Sequence, residues 1–133
     1  MDTGPLVAFL KARDRHHAWA VETLATLRPP LLTCEVVLAE ACYLLRETPG
    51  GAEAVLELVN RGVIRPSFHL AEEVAAVSAL IRKYGARRMD LADACLVRMS
   101  EIHIDCFVVT LDGAFRGVYR RSGRRAIPTL QPA

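Results

Sequence analysis

The stretch PPLLTCEVVLAEACYLL, Pro29 to Leu45, packs a helix stop, a strand, a cap and a helix into adjacent positions, and its reading decides the fold. Arg28 precedes proline and is pushed out of helical geometry, so a helix predicted from about Asp14 to Leu27 stops there. Leu31-Leu32 then reads as a short strand. Thr33 can cap a long helix from Cys34 to about Glu47, which Pro49-Gly50-Gly51 ends. Glu40 stands in the middle of that helix, inside the apolar run Val36 to Leu45.

The alternation continues in both directions. Pro5 suits the first turn of a helix over about Gly4 to Lys11. Ala52 to Arg61 reads as helix with Gly62 as its stop, and Val63-Ile64-Arg65 as a short strand ending at Pro66. Leu70 to Tyr84 sets Val74, Val77, Leu80 and Ile81 on one helical face, with Gly85 beyond its end. Asp90 can cap a helix from Leu91 to about Glu101. Cys106 to Val109 has strand character, and Ala126-Ile127 begins a last short strand. Strands alternating with helices predict an α/β fold: a three-layer α/β/α sandwich around a short, mainly parallel central sheet. The working site of such a sheet lies beyond the carboxyl ends of its strands.

The length of 133 residues predicts a single domain over 1–133, and 52% hydrophobic with 24% charged residues excludes a disordered chain. With 6% aromatic residues the core must be aliphatic. No apolar run reaches the roughly 18 residues of a membrane span, and no secretory signal pattern opens the chain, so a soluble cytoplasmic protein is expected. Cys34, Cys42, Cys95 and Cys106 lack the spacing of a zinc or redox motif and read as buried free thiols. The net charge is +2, and all basic residues but Lys11 and Lys83 are Arg. Arg116, Arg120, Arg121, Arg124 and Arg125 cluster near the C-terminus, either as a solvated face or as a patch that holds phosphates.

The informative residues are acids without local partners. The helical neighbours of Glu40 are Val36, Val37, Tyr43 and Leu44; those of Asp93 are Met89, Asp90, Leu96 and Val97. Neither set supplies a cation, and a buried unpaired carboxylate is costly, so each needs donors or a cation from elsewhere in the fold. Asp2 and Asp112 stand where strands should end; alone, the first reads as a helix cap and the second as a turn residue paired with Arg116. Converging carboxylates without His or Cys ligands suit Mg²⁺ or Mn²⁺, which can activate water for attack on a phosphodiester. His16, His17, His69 and His103 form no ligand grouping, which disfavours zinc, and His16-His17 reads as a solvated surface pair.

Asp2-Thr3-Gly4-Pro5-Leu6, Glu40 in its long helix, Asp90-Leu-Ala-Asp93-Ala94, and Thr110-Leu-Asp112 followed by Phe115 resemble the PIN-domain nucleases. The likeness is nearest to the VapC-type toxins of prokaryotic toxin–antitoxin pairs and spans nearly the whole chain. The resemblance implies a metal-dependent endoribonuclease acting on tRNA or rRNA, with Mg²⁺ or Mn²⁺ as cofactor. It implies a homodimer silenced by a VapB-like antitoxin. By match of position Asp2, Glu40, Asp93 and Asp112 form the acidic cluster. Asp2 and Asp93 would be direct metal ligands, with Glu40, Asp90 and Asp112 as further candidates. Thr3 and Thr110 would offer hydroxyls, and Asp90 is either a secondary member or a plain N-cap.

One departure stands out. The family's central first strand runs several apolar residues up to the first Asp, whereas only Met1 precedes Asp2 here. The sheet is therefore expected to carry a truncated first strand, or the true start lies upstream. Two rival readings remain. A receiver or dehalogenase-like phosphotransfer domain also gathers acids at a sheet edge, but a receiver needs a Lys near the late strands, where neither Lys11 nor Lys83 falls. A degenerate PIN-like module would bind RNA or antitoxin without cutting.

Overall fold

The computed structural model describes residues 1–133. The chain forms the expected α/β architecture. Helix α1 (Thr3–Leu10) starts at Asp2, and α2 (His17–Ala25) ends before the proline pair. Strand β1 (Leu31–Thr33), α3 (Glu35–Leu44), α4 (Gly51–Asn60) and β2 (Ile64–Pro66) follow. Then come α5 (Leu70–Tyr84), α6 (Leu91–Ile102), β3 (Val108–Val109) and the short α7 (Ala114–Gly117). A hairpin of β4 (Arg120–Arg121) and β5 (Arg125–Ala126) precedes the last strand, β6 (Thr129–Leu130).

β1 pairs in parallel with β2, and β3 with β6. Between the two pairs runs only Met1-Asp2: the Met1 nitrogen donates to the Leu32 carbonyl at 2.8 Å and the Asp2 N–H to the Val109 carbonyl at 2.9 Å. Met1-Asp2 is thus a two-residue bridge between the pairs, in the order β2–β1–bridge–β3–β6. The Leu31 and Thr33 backbones are engaged by β2, and those of Val108 and Thr110 by β6. Strand alternation therefore turns the Leu32 and Val109 amides toward the gap beside Met1. Two apolar cavities flank this bridge. One, of about 300 Å³, is walled by Leu96 and Met99 of α6; the other, of about 270 Å³, by Leu6, Leu24 and Leu58 of α1, α2 and α4. Those walls belong to the two helical layers of the sandwich. Neither cavity reaches Asp2, Glu40, Asp93 or Asp112.

The core is largely aliphatic, with Leu6, Val37, Leu45, Val55, Ile64 and Val97 fully buried, yet its two largest fully buried side chains are Tyr119 and Phe115. Several local expectations are corrected. Thr33 does not cap α3: it ends β1, its hydroxyl donates to the Met1 carbonyl at 2.9 Å, and Cys34 takes the cap position. α3 stops at Leu44, short of the expected Glu47, and buried Leu45 packs against Gly51, where an added Cβ would stand 2.5 Å from the Leu45 carbonyl oxygen. Gly51 therefore opens α4 in a tight helical corner instead of merely ending α3. Arg125–Ala126 pairs antiparallel with β4, and the last parallel strand lies further on at Thr129–Leu130. Strands of two residues carry no periodicity to read. Cys34 and Cys95 are buried as expected, but Cys42 is half-buried and Cys106 exposed. His17 is no free surface residue: its Nδ1 lies 2.7 Å from the Ala8 carbonyl oxygen and ties α2 to α1. No helix is long and apolar enough to cross a membrane.

Candidate active site

Asp2 ends the bridge at the carboxyl edge of the sheet and is buried. Its Oδ1 accepts from the Thr3 N–H at 2.7 Å, which caps α1, and its Oδ2 accepts from the Thr110 hydroxyl at 2.6 Å. Thr110 is itself fully buried just past β3, and its Oγ1 accepts the Asp112 N–H at 2.9 Å. One hydroxyl thus ties the bridge to the turn after β3. Burial holds the Asp2 carboxyl above its usual range, against the pull of the Thr110 and Thr3 bonds.

Asp93 lies in the first turn of α6 and completes a capping box with Asp90. The Asp93 N–H donates to Asp90 Oδ1 at 2.8 Å, and the Asp90 N–H to Asp93 Oδ2 at 3.4 Å. The Tyr119 hydroxyl donates to the same Oδ2 at 2.9 Å. Asp93 Oδ1 receives no hydrogen bond from the protein. Burial, aided by the charges of Asp90 and Asp2, pushes the Asp93 carboxyl up to about 7, with the Tyr119 and Asp90 bonds opposing. Asp90 therefore serves as the N-cap and also adds charge to the cluster.

Glu40 projects from α3, half-buried, with neither a hydrogen bond nor an ion pair. Burial first, then the charges of Asp90 and Asp2, raise its carboxyl above the usual range, with the nearby Thr3 hydroxyl opposing. The Thr3 side chain lies beside it, yet the buried Thr3 hydroxyl has no hydrogen-bond partner. Asp112 is exposed and unpaired with Arg116; its Oδ1 accepts the Ala114 N–H at 2.9 Å at the start of α7. The structure so brings Asp2, Glu40, Asp90 and Asp93 into one another's field, with Asp112 acting on Asp2 from the rim.

The arginines divide into two sets. Arg121 Nη1 donates to the Ile104 carbonyl at 2.8 Å and the Ser100 carbonyl at 3.4 Å, at the C-terminal end of α6. Arg120 Nη1 donates to the Tyr119 carbonyl at 2.9 Å and the Arg116 carbonyl at 3.3 Å. Arg116, Arg124 and Arg125 are exposed, and their guanidinium groups bond nothing in the chain.

The donors at this edge are carboxylates and hydroxyls, which suits a hard divalent cation such as Mg²⁺. The Thr3 hydroxyl, Asp93 Oδ1 and the Glu40 carboxylate are free to face one, and each Asp2 oxygen, accepting a single hydrogen bond, keeps a lone pair for it. They form no ready-made cage: no three of the acids converge closely enough to hold an ion alone. Mg²⁺ typically takes one or two carboxylates, several waters and the substrate phosphates, so an open arrangement fits it. Sequence reasoning missed Tyr119; its signal was an aromatic four positions after Phe115 in a chain poor in aromatics.

The PIN domain family matches residues 1–121. The chain belongs to that family. It is also similar to Ribonuclease VapC26 of Mycobacterium tuberculosis, with 29% identity over 125 residues that cover 84% of this chain and 84% of that protein. In this PIN domain the acids at the sheet edge come from four separate segments: the bridge, α3, the start of α6 and the turn after β3.

Proposed function

We propose that this PIN domain is a Mg²⁺- or Mn²⁺-dependent endoribonuclease and the toxin of a toxin–antitoxin pair. In this reading Asp2 and Asp93 hold the metal, helped by Glu40, Asp90 and Asp112, with Thr3 and Thr110 as supporting hydroxyls. The observation that carries it is the set of acids at the carboxyl edge whose charges oppose one another and whose free oxygens have no donor in the chain. Such an arrangement costs stability and is explained by a cation that neutralises it. Bound there, the metal supplies an activated water and charge neutralisation for in-line attack on phosphorus. Asp2, fixed by Thr3 and Thr110, sets the position of that chemistry. Glu40, with its raised carboxyl, is suited to accept a proton from the attacking water. Arg116, Arg124 and Arg125 are free to hold flanking phosphates of tRNA or rRNA, while Arg120 and Arg121 position the hairpin that carries the last two. The name of the mycobacterial relative, a ribonuclease, supports RNA as substrate; a VapB-like antitoxin, a homodimer and a cytoplasmic site of action belong to the same proposal through the resemblance to VapC-type toxins.

The rival reading, a module that binds RNA or antitoxin without cutting, draws on the two-residue bridge and on the open arrangement of the acids. Purified protein incubated with total RNA in Mg²⁺, in Mn²⁺ and in EDTA separates the two. Cleavage is expected with metal, lost in EDTA and lost in Asp93→Asn. Equal cleavage in EDTA, or RNA binding without cleavage in either metal, overturns the nuclease reading.

A further inference from the structure

Tyr119 is a buried aromatic on the short connection between α7 and the arginine hairpin, 26 residues from Asp93 in sequence. Its ring is held edge-on from two sides, by Tyr84 at 5.3 Å between centroids and by Phe115 at 5.1 Å. The Tyr84 hydroxyl accepts the Arg120 N–H at 3.0 Å and so closes the arrangement at the foot of β4. The hairpin beyond is fastened along α6 by Arg121 to the Ser100 and Ile104 carbonyls and by the Ser122 N–H to Glu101 Oε2. The Tyr119 hydroxyl therefore cannot swing without unpacking that stack, and it ends 2.9 Å from Asp93 Oδ2.

Both protein donors to the Asp93 carboxylate use this one oxygen: the Tyr119 hydroxyl and, at 3.4 Å, the Asp90 N–H. A carboxylate pinned at one oxygen in this way cannot rotate, and its second oxygen is presented in a fixed direction.

We infer that Tyr119 is a positioning residue for the metal site: it clamps Asp93 Oδ2 so that Oδ1 is left oriented for a divalent cation. The inference rests on the metal-site reading proposed above. It gives the aromatic stack a role beyond packing, since the segment that carries the arginines also orients an acid of the cluster.

The test is Mn²⁺ affinity, measured by calorimetry on the whole protein without RNA, beside melting curves in EDTA. Tyr119→Phe keeps the ring and removes the hydroxyl, and it should weaken Mn²⁺ binding about tenfold or more, as loss of an orienting partner typically does. Phe115→Leu loosens the same stack without touching Asp93; it should lower the melting temperature and leave Mn²⁺ affinity within about twofold of the wild type. Wild-type affinity in Tyr119→Phe overturns the inference and leaves the metal site standing. So does an equal loss in Phe115→Leu, because general loosening would then explain both. Absence of Mn²⁺ binding by the wild type overturns the metal-site reading, and this inference with it.

Discussion

Asp2 reaches the acidic edge with both carboxylate oxygens hydrogen-bonded, to the Thr3 N–H and the Thr110 hydroxyl, whereas Glu40 has only the Thr3 hydroxyl nearby and no formed hydrogen bond. Asp2 sits where the bridge, α1 and the turn after β3 meet, so its carboxylate also serves as a structural joint. Glu40 rides on one face of α3 and joins nothing. The difference separates two duties that a catalytic carboxylate can carry. An anchored acid fixes where the chemistry occurs, at the risk that its loss unfolds the edge. An unanchored acid contributes charge alone, and the fold gains nothing from its presence.

The sharpest way to break this comparison is to cut the joint. Thr110→Val keeps shape and volume but removes the hydroxyl that donates to Asp2 and accepts from the Asp112 N–H. The buried Asp2 Oδ2 then loses its donor, at about 1–3 kcal/mol for a buried group left unsatisfied, while the exposed Asp112 segment can turn its N–H to water, so a loss of about 1–3 kcal/mol is expected. Urea denaturation in EDTA near neutral pH measures it. A loss below about 1 kcal/mol would show that Asp2 is no better anchored than Glu40.

The arginines carry the same contrast at smaller scale. Arg121→Ala removes charge-assisted bonds to the Ser100 carbonyl in the last turn of α6 and to the Ile104 carbonyl just beyond it, and should cost about 1–2 kcal/mol. The pair Arg124→Ala and Arg125→Ala removes guanidinium groups that bond nothing, and the melting temperature should not move. Their effect belongs to RNA binding: each lost phosphate contact should flatten the log–log salt slope by about 0.7. An unchanged slope in the double variant would return both residues to the solvated surface.

What the sequence made legible follows from range. Helix and strand alternation could be read because Pro29-Pro30, Pro49-Gly50-Gly51 and Gly62 punctuate it locally. Glu40 and Asp93 stood out because the lack of a cation at three or four residues is a local fact. Their actual surroundings are not local. The Thr110–Asp2 bond joins positions 108 apart, and only the family resemblance pointed to that threonine. The Tyr119–Asp93 bond spans 26 positions and left no trace that periodicity could find. Arg120 and Arg121 looked identical to Arg124 and Arg125 in sequence. What divides them is the proximity of carbonyls from Arg116, Tyr119, Ser100 and Ile104, which only the folded chain assembles.

The smallest expected effect is the most discriminating, because its sign reverses with metal. Glu40→Gln removes a charge and no hydrogen bond, so in EDTA its effect on stability should stay under about 0.5 kcal/mol. The folded-state carboxyl is raised by burial and by Asp90 and Asp2, so as pH rises the unfolded chain ionises before the folded one. The wild type accordingly loses stability as pH climbs from the ordinary glutamate range through the raised folded value, and levels off above it. Glutamine does not titrate. The two proteins should therefore coincide at acid pH, and in EDTA the variant should be slightly the more stable at pH 8. Adding Mg²⁺ at ten times the wild-type dissociation constant should stabilise the wild type by about 1.4 kcal/mol and the variant by less, so the order inverts. Melting curves at two pH values, each with and without metal, contain the whole test. If Glu40→Gln costs more than about 1 kcal/mol in EDTA, Glu40 holds the fold as Asp2 does. If the order does not invert with Mg²⁺, Glu40 lies outside the metal's reach and the cluster narrows to Asp2, Asp93 and their immediate partners.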